Sequence, residues 1–107
     1  MINLPAPISD YFEADKTDGD AMAKCFTNTA VVKDEGQTHE GREAIRAWRR
    51  EASTKYSYVS EPHSVAQDGD RTVVTSRLTG NFPGSPVDLR FFFHLDGNKI
   101  AELEIKP

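Results

Sequence analysis

The chain has 107 residues, 37% of them apolar and 28% charged, with a formal net charge of −4. That size predicts one domain with a radius of gyration of roughly 13 Å, and the balance excludes a disordered or fibrous chain. The negative charge argues against a nucleic-acid partner, which needs a basic face to displace counterions.

Cys25 is the only cysteine, so no intrachain disulfide can form and a zinc–thiolate cluster is excluded. Its place in an apolar pattern predicts a buried, inert thiol. No apolar run approaches the ~18 residues of a membrane span. The first ten residues, MINLPAPISD, carry neither the basic nor the apolar segment of a secretion signal, so a cytoplasmic location is the expectation.

Pro5 and Pro7 suit the first turn of a helix, where a missing amide donor costs nothing. Ile8, Tyr11 and Phe12 follow at helical spacing, with Asp10, Glu13 and Lys16 on the other side. Thr17 or Asp18 can cap a second short helix whose apolar stripe is Met22, Cys25 and Phe26. The run 27–29 ends that helix, and 30–33 reads as the first strand.

The stretch 31–50, VVKDEGQTHEGREAIRAWRR, is the most informative. Val31 and Val32 lead to two adjacent carboxylates, Asp34 and Glu35, and Gly36 breaks the strand. Gly41 precedes the longest helix, which runs to about residue 55 with Ile45, Trp48 and Ala52 on its inner face. An acid at the end of an apolar strand, beside an aromatic-bearing helix, sits where apolar walls converge and its pKa can rise.

From residue 56 the period changes to two. A long extended segment runs over 56–67, with Pro62 marking a bend or an edge position. Asp68-Gly69 predicts a tight hairpin into a strand over 71–79, and NFPGSP at 81–86 is a turn-rich loop. Asn81 and Phe82 are placed as a lip over any cavity. Val87, Leu89, Phe91, Phe93 and Leu95 alternate with Asp88, Arg90, Phe92 and His94, and a turn at 96–98 leads to the last strand over 99–106. Helices, a strand, a helix and four strands in hairpins make an α+β fold with helices covering one sheet face. Phe92 on the other face, between Arg90 and His94, predicts that this face is covered too. With no helix left to cover it, a homodimer through Arg90, Phe92 and His94 is expected.

YFEADKTDGDAMAKCF, AVVKDEG, HEGREAIRAW and DGNKIAELEI, in that order over nearly the whole chain, resemble the nuclear transport factor 2-like superfamily. Its SnoaL-like and ketosteroid-isomerase-like members are the nearest in pattern. The resemblance implies a cone: a strongly curved sheet wrapped around the N-terminal helices, with a cavity at the open end. It also implies Asp34 as a proton-shuttling base and Tyr11 as an oxyanion donor. The isomerases add a protonated aspartic acid on a later strand; counted back from the shared Asp-Gly turn, Phe91 occupies that place here.

Each candidate has a plainer reading. Asp34 can be a strand-end acid binding turn amides, and Glu35 competes with it, since adjacent strand residues face opposite ways. Tyr11 can be an amphipathic helix residue, and Trp48 core packing. His39, beside the turn, and His63, after Pro62, are candidate proton-transfer or binding groups without any metal-ligand spacing. Arg42, Arg46, Arg49 and Arg50 interleave with Glu43 and Glu51 and read as a solvated helix face rather than an anion site. No Ser-His-Asp set and no Gly-rich phosphate loop is present, so neither a cofactor nor a metal is called for.

Two functions follow. One is a cofactor-independent isomerase or cyclase in which Asp34 moves a proton on a small hydrophobic carbonyl compound and Tyr11 steadies the enolate. Ile8, Phe12, Trp48, Leu78, Leu89, Phe91, Phe93 and Leu103 would wall its pocket. The other is a non-catalytic homodimeric binding or structural domain, favoured by Phe91 in place of the second acid. A cavity well below ~300 Å³ would decide for the second.

Overall fold

A computed structural model describes residues 3–15 and 19–107, leaving aside the side chains at 19 and 53–55. The elements, in chain order, are α1 (Ala6–Ala14), α2 (Gly19–Ala23), β1 (Phe26–Asp34), β2 (Gln37–Glu40), α3 (Gly41–Lys55), β3 (Tyr58–Asp68), β4 (Arg71–Gly80), β5 (Val87–Asp96) and β6 (Lys99–Lys106). The six strands form one curved, unclosed sheet in the order β2-β1-β6-β5-β4-β3. Only β1 and β6 run parallel; every other neighbouring pair is antiparallel. The Cα radius of gyration is 12.8 Å.

α1 begins as its prolines require, with Pro5 at the N-cap and Pro7 in the first turn. Its Ile8, Tyr11 and Phe12 pack onto Phe26, Ile45, Phe93 and Leu103 in the main core. The aromatic contacts there are edge-to-face, with centroids 5.1 Å apart for Tyr11–Phe12, 5.4 Å for Tyr11–Phe93 and 5.3 Å for Phe12–Phe91. This aromatic cluster is part of the buried core, and Tyr11 and Phe91 also border the cavity described below. The strand alternation of β5 is as expected, with Phe91 and Phe93 inward.

Several boundaries differ from the sequence reading. The second helix stops at Ala23, and Phe26 already pairs with Ile100 on β6, so Phe26 and the run 27–29 belong to β1 rather than to a helix and its end. Gly36 does not end the sheet there. Glu35 (φ 53°) and Gly36 (φ 76°) form a tight hairpin, and β2 pairs back onto β1 from Asp34↔Gln37 to Val31↔Glu40. The β3–β4 turn lies one residue later than read, because Asp68 pairs with Arg71 and leaves Gly69 and Asp70 to turn. Pro62 sits where an edge strand tolerates it, next to a register shift between Pro62 and Ser64. The cap expected at Thr17 or Asp18 lies outside the described residues, as does Lys16.

The arginines of α3 are not one solvated face. Arg42 donates through Nε and Nη2 to the Phe26 carbonyl at 3.0 and 2.8 Å. Arg46 pairs with Asp20 at 2.6 Å and also with Glu43. Arg49 is buried and pairs with Asp15, 2.9 Å from Nε to Oδ1. Three of the four therefore strap α3 to β1, α2 and the end of α1, and only Arg50 is exposed. Phe92 on the outer sheet face is covered within its own chain: Arg71 lies 4.7 Å, Arg90 5.5 Å and Lys106 5.7 Å from its ring centroid. That cationic roof leaves the ring 8% exposed, so its burial requires no second copy.

Candidate functional site

Between the curved sheet, α1 and α3 lies a cavity of about 430 Å³, above the ~300 Å³ at which small-molecule pockets begin. Leu78, Val87, Leu89, Phe91 and Ile105 form its sheet side, and Trp48 and Ala52 of α3 face them. Phe82, Pro83 and Gly84 form the lip, so Phe82 lies where the loop chemistry put it; Asn81 does not line the space. The lip is tied down. The Asn81 side chain accepts from the Ser57 amide at 2.9 Å, Gly80 donates to Ser85 Oγ at 2.8 Å, and the Phe82 ring meets Tyr56 edge-on. Gly80 is required here, since a Cβ would collide with the Ser57 carbonyl and the Tyr58 backbone.

Asp34 reaches the cavity because β1 places Ala30, Val32 and Asp34 on its inner face. The Trp48 indole N–H donates to its Oδ2 at 3.1 Å. Burial pushes the Asp34 carboxyl above the ordinary carboxylate range; the Trp48 hydrogen bond opposes this, Glu35 adds to it, and His39 opposes it. Glu35 also borders the cavity but is exposed at the hairpin tip in a left-handed conformation. The bulge-free pairing of Asp34 with Gln37 therefore leaves Asp34 as the desolvated acid of the two.

Tyr11 lines the cavity from α1, 3% exposed. Burial raises its pKa well above the usual phenol value, and Asp15, Tyr58 and Asp34 all add to that, so its hydroxyl keeps its proton. One turn on, Asp15 enters the same space, a group the sequence reading missed. The Tyr58 hydroxyl donates to Asp15 Oδ1 at 3.1 Å, the atom that also faces Arg49 Nε. Arg49 donates through Nη2 to the Asp15 carbonyl, and its Nη1 has no hydrogen-bond partner among the described residues. Burial raises the Asp15 pKa despite Arg49 and Tyr58, which both lower it. Tyr58 is raised as well, chiefly by burial and then by Asp15. The signal for Asp15 was present: it stands four after Tyr11 on one helix face.

The other expected wall residues lie elsewhere. Ile8, Phe12, Phe93 and Leu103 are packed in the core instead, where the rings of Phe12 and Phe93 are in contact with each other and with Tyr11. Trp48, Leu78, Leu89 and Phe91 do line it. His39 is not in the main cavity; it borders a smaller adjoining space, its ring 6.0 Å from that of Trp48. His63 is exposed on edge strand β3, 3.7 Å from Asp88, and His94 stands 3.6 Å from Asp70 on the outer face. Cys25 is buried, with its thiol pKa raised by burial. Among the described residues no helix is long and apolar enough to cross a membrane.

An α+β architecture with a curved, unclosed sheet and a mostly apolar cavity defines the class. The chain belongs to the SnoaL-like domain family, which it matches over residues 8–103. It is 43% identical to the crystal structure of a "putative polyketide cyclase" from Sinorhizobium meliloti, with a TM-score of 0.91 over 96% of this chain and 95% of that one. A ketosteroid isomerase-like protein from Catenulispora acidiphila, solved with trimethylamine, superposes at TM-score 0.86 with 18% identity over 98% and 87% of the two chains. SalBIII, an epoxide hydrolase/cyclase-like enzyme of pyran ring formation in salinomycin, gives 0.72 with 21% identity over 94% and 86%. The last two likenesses speak for the fold alone. No curated protein matches the sequence.

Proposed function

We propose that the cavity binds a small, largely apolar carbonyl compound and that Asp34 transfers a proton on it without a cofactor. The observation that carries this reading is the position of Asp34: the desolvated carboxyl borders a cavity of about 430 Å³ whose other surfaces are mostly aliphatic or aromatic. The carboxylate takes a proton from the carbon beside the carbonyl, and the C–H electron pair moves into the enolate. Tyr11, held protonated, donates a hydrogen bond to the developing oxyanion. Asp34 then returns the proton to a second carbon, so the product is an isomer and the enzyme is regenerated. The likeness to a described polyketide cyclase supports a carbonyl-rich ligand.

A non-catalytic reading is favoured by one observation. Phe91 lines the cavity, and counted back from the Asp-Gly turn it takes the place of the isomerases' second, protonated acid, so on that resemblance Tyr11 lacks its companion. Turnover of a ketone library followed by proton exchange at the α-carbon separates the two. Exchange in the native protein that disappears in Asp34→Asn supports the enzyme; saturable binding with no exchange supports the binding domain. Pairing of two chains through the outer sheet face, where Arg90 is exposed, is a further part of the proposal, and a monomer mass in sedimentation equilibrium would remove it.

A further inference from the structure

Ser60 interrupts an otherwise apolar sheet wall. It stands on β3 opposite Leu78 of β4, which pairs in turn with Val87 of β5, and all three border the cavity. The wall residues that β4, β5 and β6 contribute are Leu78, Val87, Leu89, Phe91 and Ile105, all of them apolar. β3 contributes Tyr58 and Ser60, and the Tyr58 hydroxyl is already given to Asp15.

Ser60 is 8% exposed, and its Oγ lies 2.7 Å from the Oγ of Ser76, a fully buried residue of β4. Among the described residues neither hydroxyl has another hydrogen-bond partner. Each has one hydrogen to give, so the pair uses only one of the two. With Ser60 as the donor, the Ser76 hydrogen would be left in the closed core without an acceptor, which is the costlier arrangement. With Ser76 as the donor, the Ser60 oxygen is held from behind. The hydrogen left over is then that of Ser60, on a residue that borders the cavity. A nearly buried hydroxyl thus offers an unused donor to the ligand space.

Asp34 is on β1 and Ser60 on β3, with β6, β5 and β4 between them in the sheet. At ~4.8 Å per strand the path along the sheet is roughly 19 Å before curvature shortens it, so the two groups meet different parts of a ligand.

We propose that Ser60 is a specificity residue. It donates to an acceptor oxygen, a second carbonyl or an ether, on the part of the ligand remote from the carbonyl at Asp34. Ser76 is its positioning residue and fixes the direction of that donor. The inference rests on the pocket reading above and adds a second oxygen to the ligand's apolar body.

Two ketones of one shape test it. 4-(4-acetylphenyl)butan-2-one carries the second carbonyl; 4-(4-isopropylphenyl)butan-2-one has a methyl group in place of that oxygen. Both are titrated calorimetrically into the full chain and into Ser60→Ala, Ser76→Ala and the double variant, in which neither hydroxyl is left without its partner. The affinity of the acetyl probe relative to the isopropyl probe is expected to fall about fivefold in Ser60→Ala and in the double variant. A ratio that both variants leave unchanged overturns the assignment, while binding of both ketones leaves the pocket standing. If neither ketone binds the native chain, the pocket reading falls and the inference with it. The donor direction has its own readout. Ser60→Ala strands the buried Ser76 hydroxyl and is expected to unfold at a lower urea concentration than Ser76→Ala; the reverse order overturns the assigned donor.

Discussion

Two carboxylates reach the same cavity from different elements, and their surroundings are unlike. Asp15, at the end of α1, is held by the buried Arg49 and by the Tyr58 hydroxyl, so it ties α1, α3 and β3 together. Asp34, at the end of β1, has among the described residues one side-chain hydrogen bond, from Trp48, and no lysine or arginine paired to it. Both are raised by burial, yet only Asp34 can change charge without leaving a buried arginine alone. Burial and a raised pKa do not by themselves mark a working acid. What distinguishes the two is whether the structure depends on the charge.

The largest effect that would break this comparison is catalytic. Asp34→Asn is expected to reduce turnover by about 10²- to 10⁴-fold once a substrate is found, the usual worth of a positioned general base, measured as kcat/KM. Native rates in that variant would assign the chemistry elsewhere. Next comes Asp15→Asn, expected to lose about 3–5 kcal/mol in urea unfolding because Arg49 keeps its buried charge without a counter-ion. Under the same assay Asp34→Asn should hold or gain stability near neutral pH. Equal losses in the two variants would erase the distinction.

Smaller effects sharpen it. Tyr58→Phe removes a hydrogen bond to a charged group and should cost about 1.5–3 kcal/mol, read from the same urea transitions. The sign of the pH dependence is also fixed. An acid whose folded pKa is raised binds its proton more tightly in the folded state, so stability falls as pH rises from the unfolded value through the folded one. The urea midpoint of the native chain should therefore decline across that window more steeply than that of Asp34→Asn. Parallel profiles would mean that Asp34 is solvated in the folded protein.

The sequence made the architecture readable wherever local chemistry and periodicity agreed: the prolines at α1, the alternation through β5, and glycine at the two hairpins that join β3 to β4 and β5 to β6. It failed for β2, whose four residues include only Thr38 as a strand former and whose pairing depends on the turn at Glu35 and Gly36. The cavity was readable in part. Asp34 and Trp48 stood out through local context and Tyr11 through the family resemblance, whereas Asp15 gains its meaning from partners 34 and 43 residues away. Arg49 stands four after the buried Ile45 on the same helix face, and that position buries it although arginine as a residue type points to solvent. Ile8, Phe12, Phe93 and Leu103 share an inward face with the cavity wall, and a one-dimensional pattern does not tell a residue of the packed core from one that borders the cavity.

The central claim is that Asp34 is a desolvated carboxyl able to exchange its proton inside a ligand cavity. A carbon-13 titration of the labelled carboxyls, with and without a small aromatic ketone and repeated in Trp48→Phe, tests it most directly. The account predicts an Asp34 pKa above the ordinary value of about 3.9, a further rise when the Trp48 hydrogen bond is removed, and a displacement on ligand addition. An ordinary value, indifferent to both the ketone and the Trp48 substitution, would contradict it.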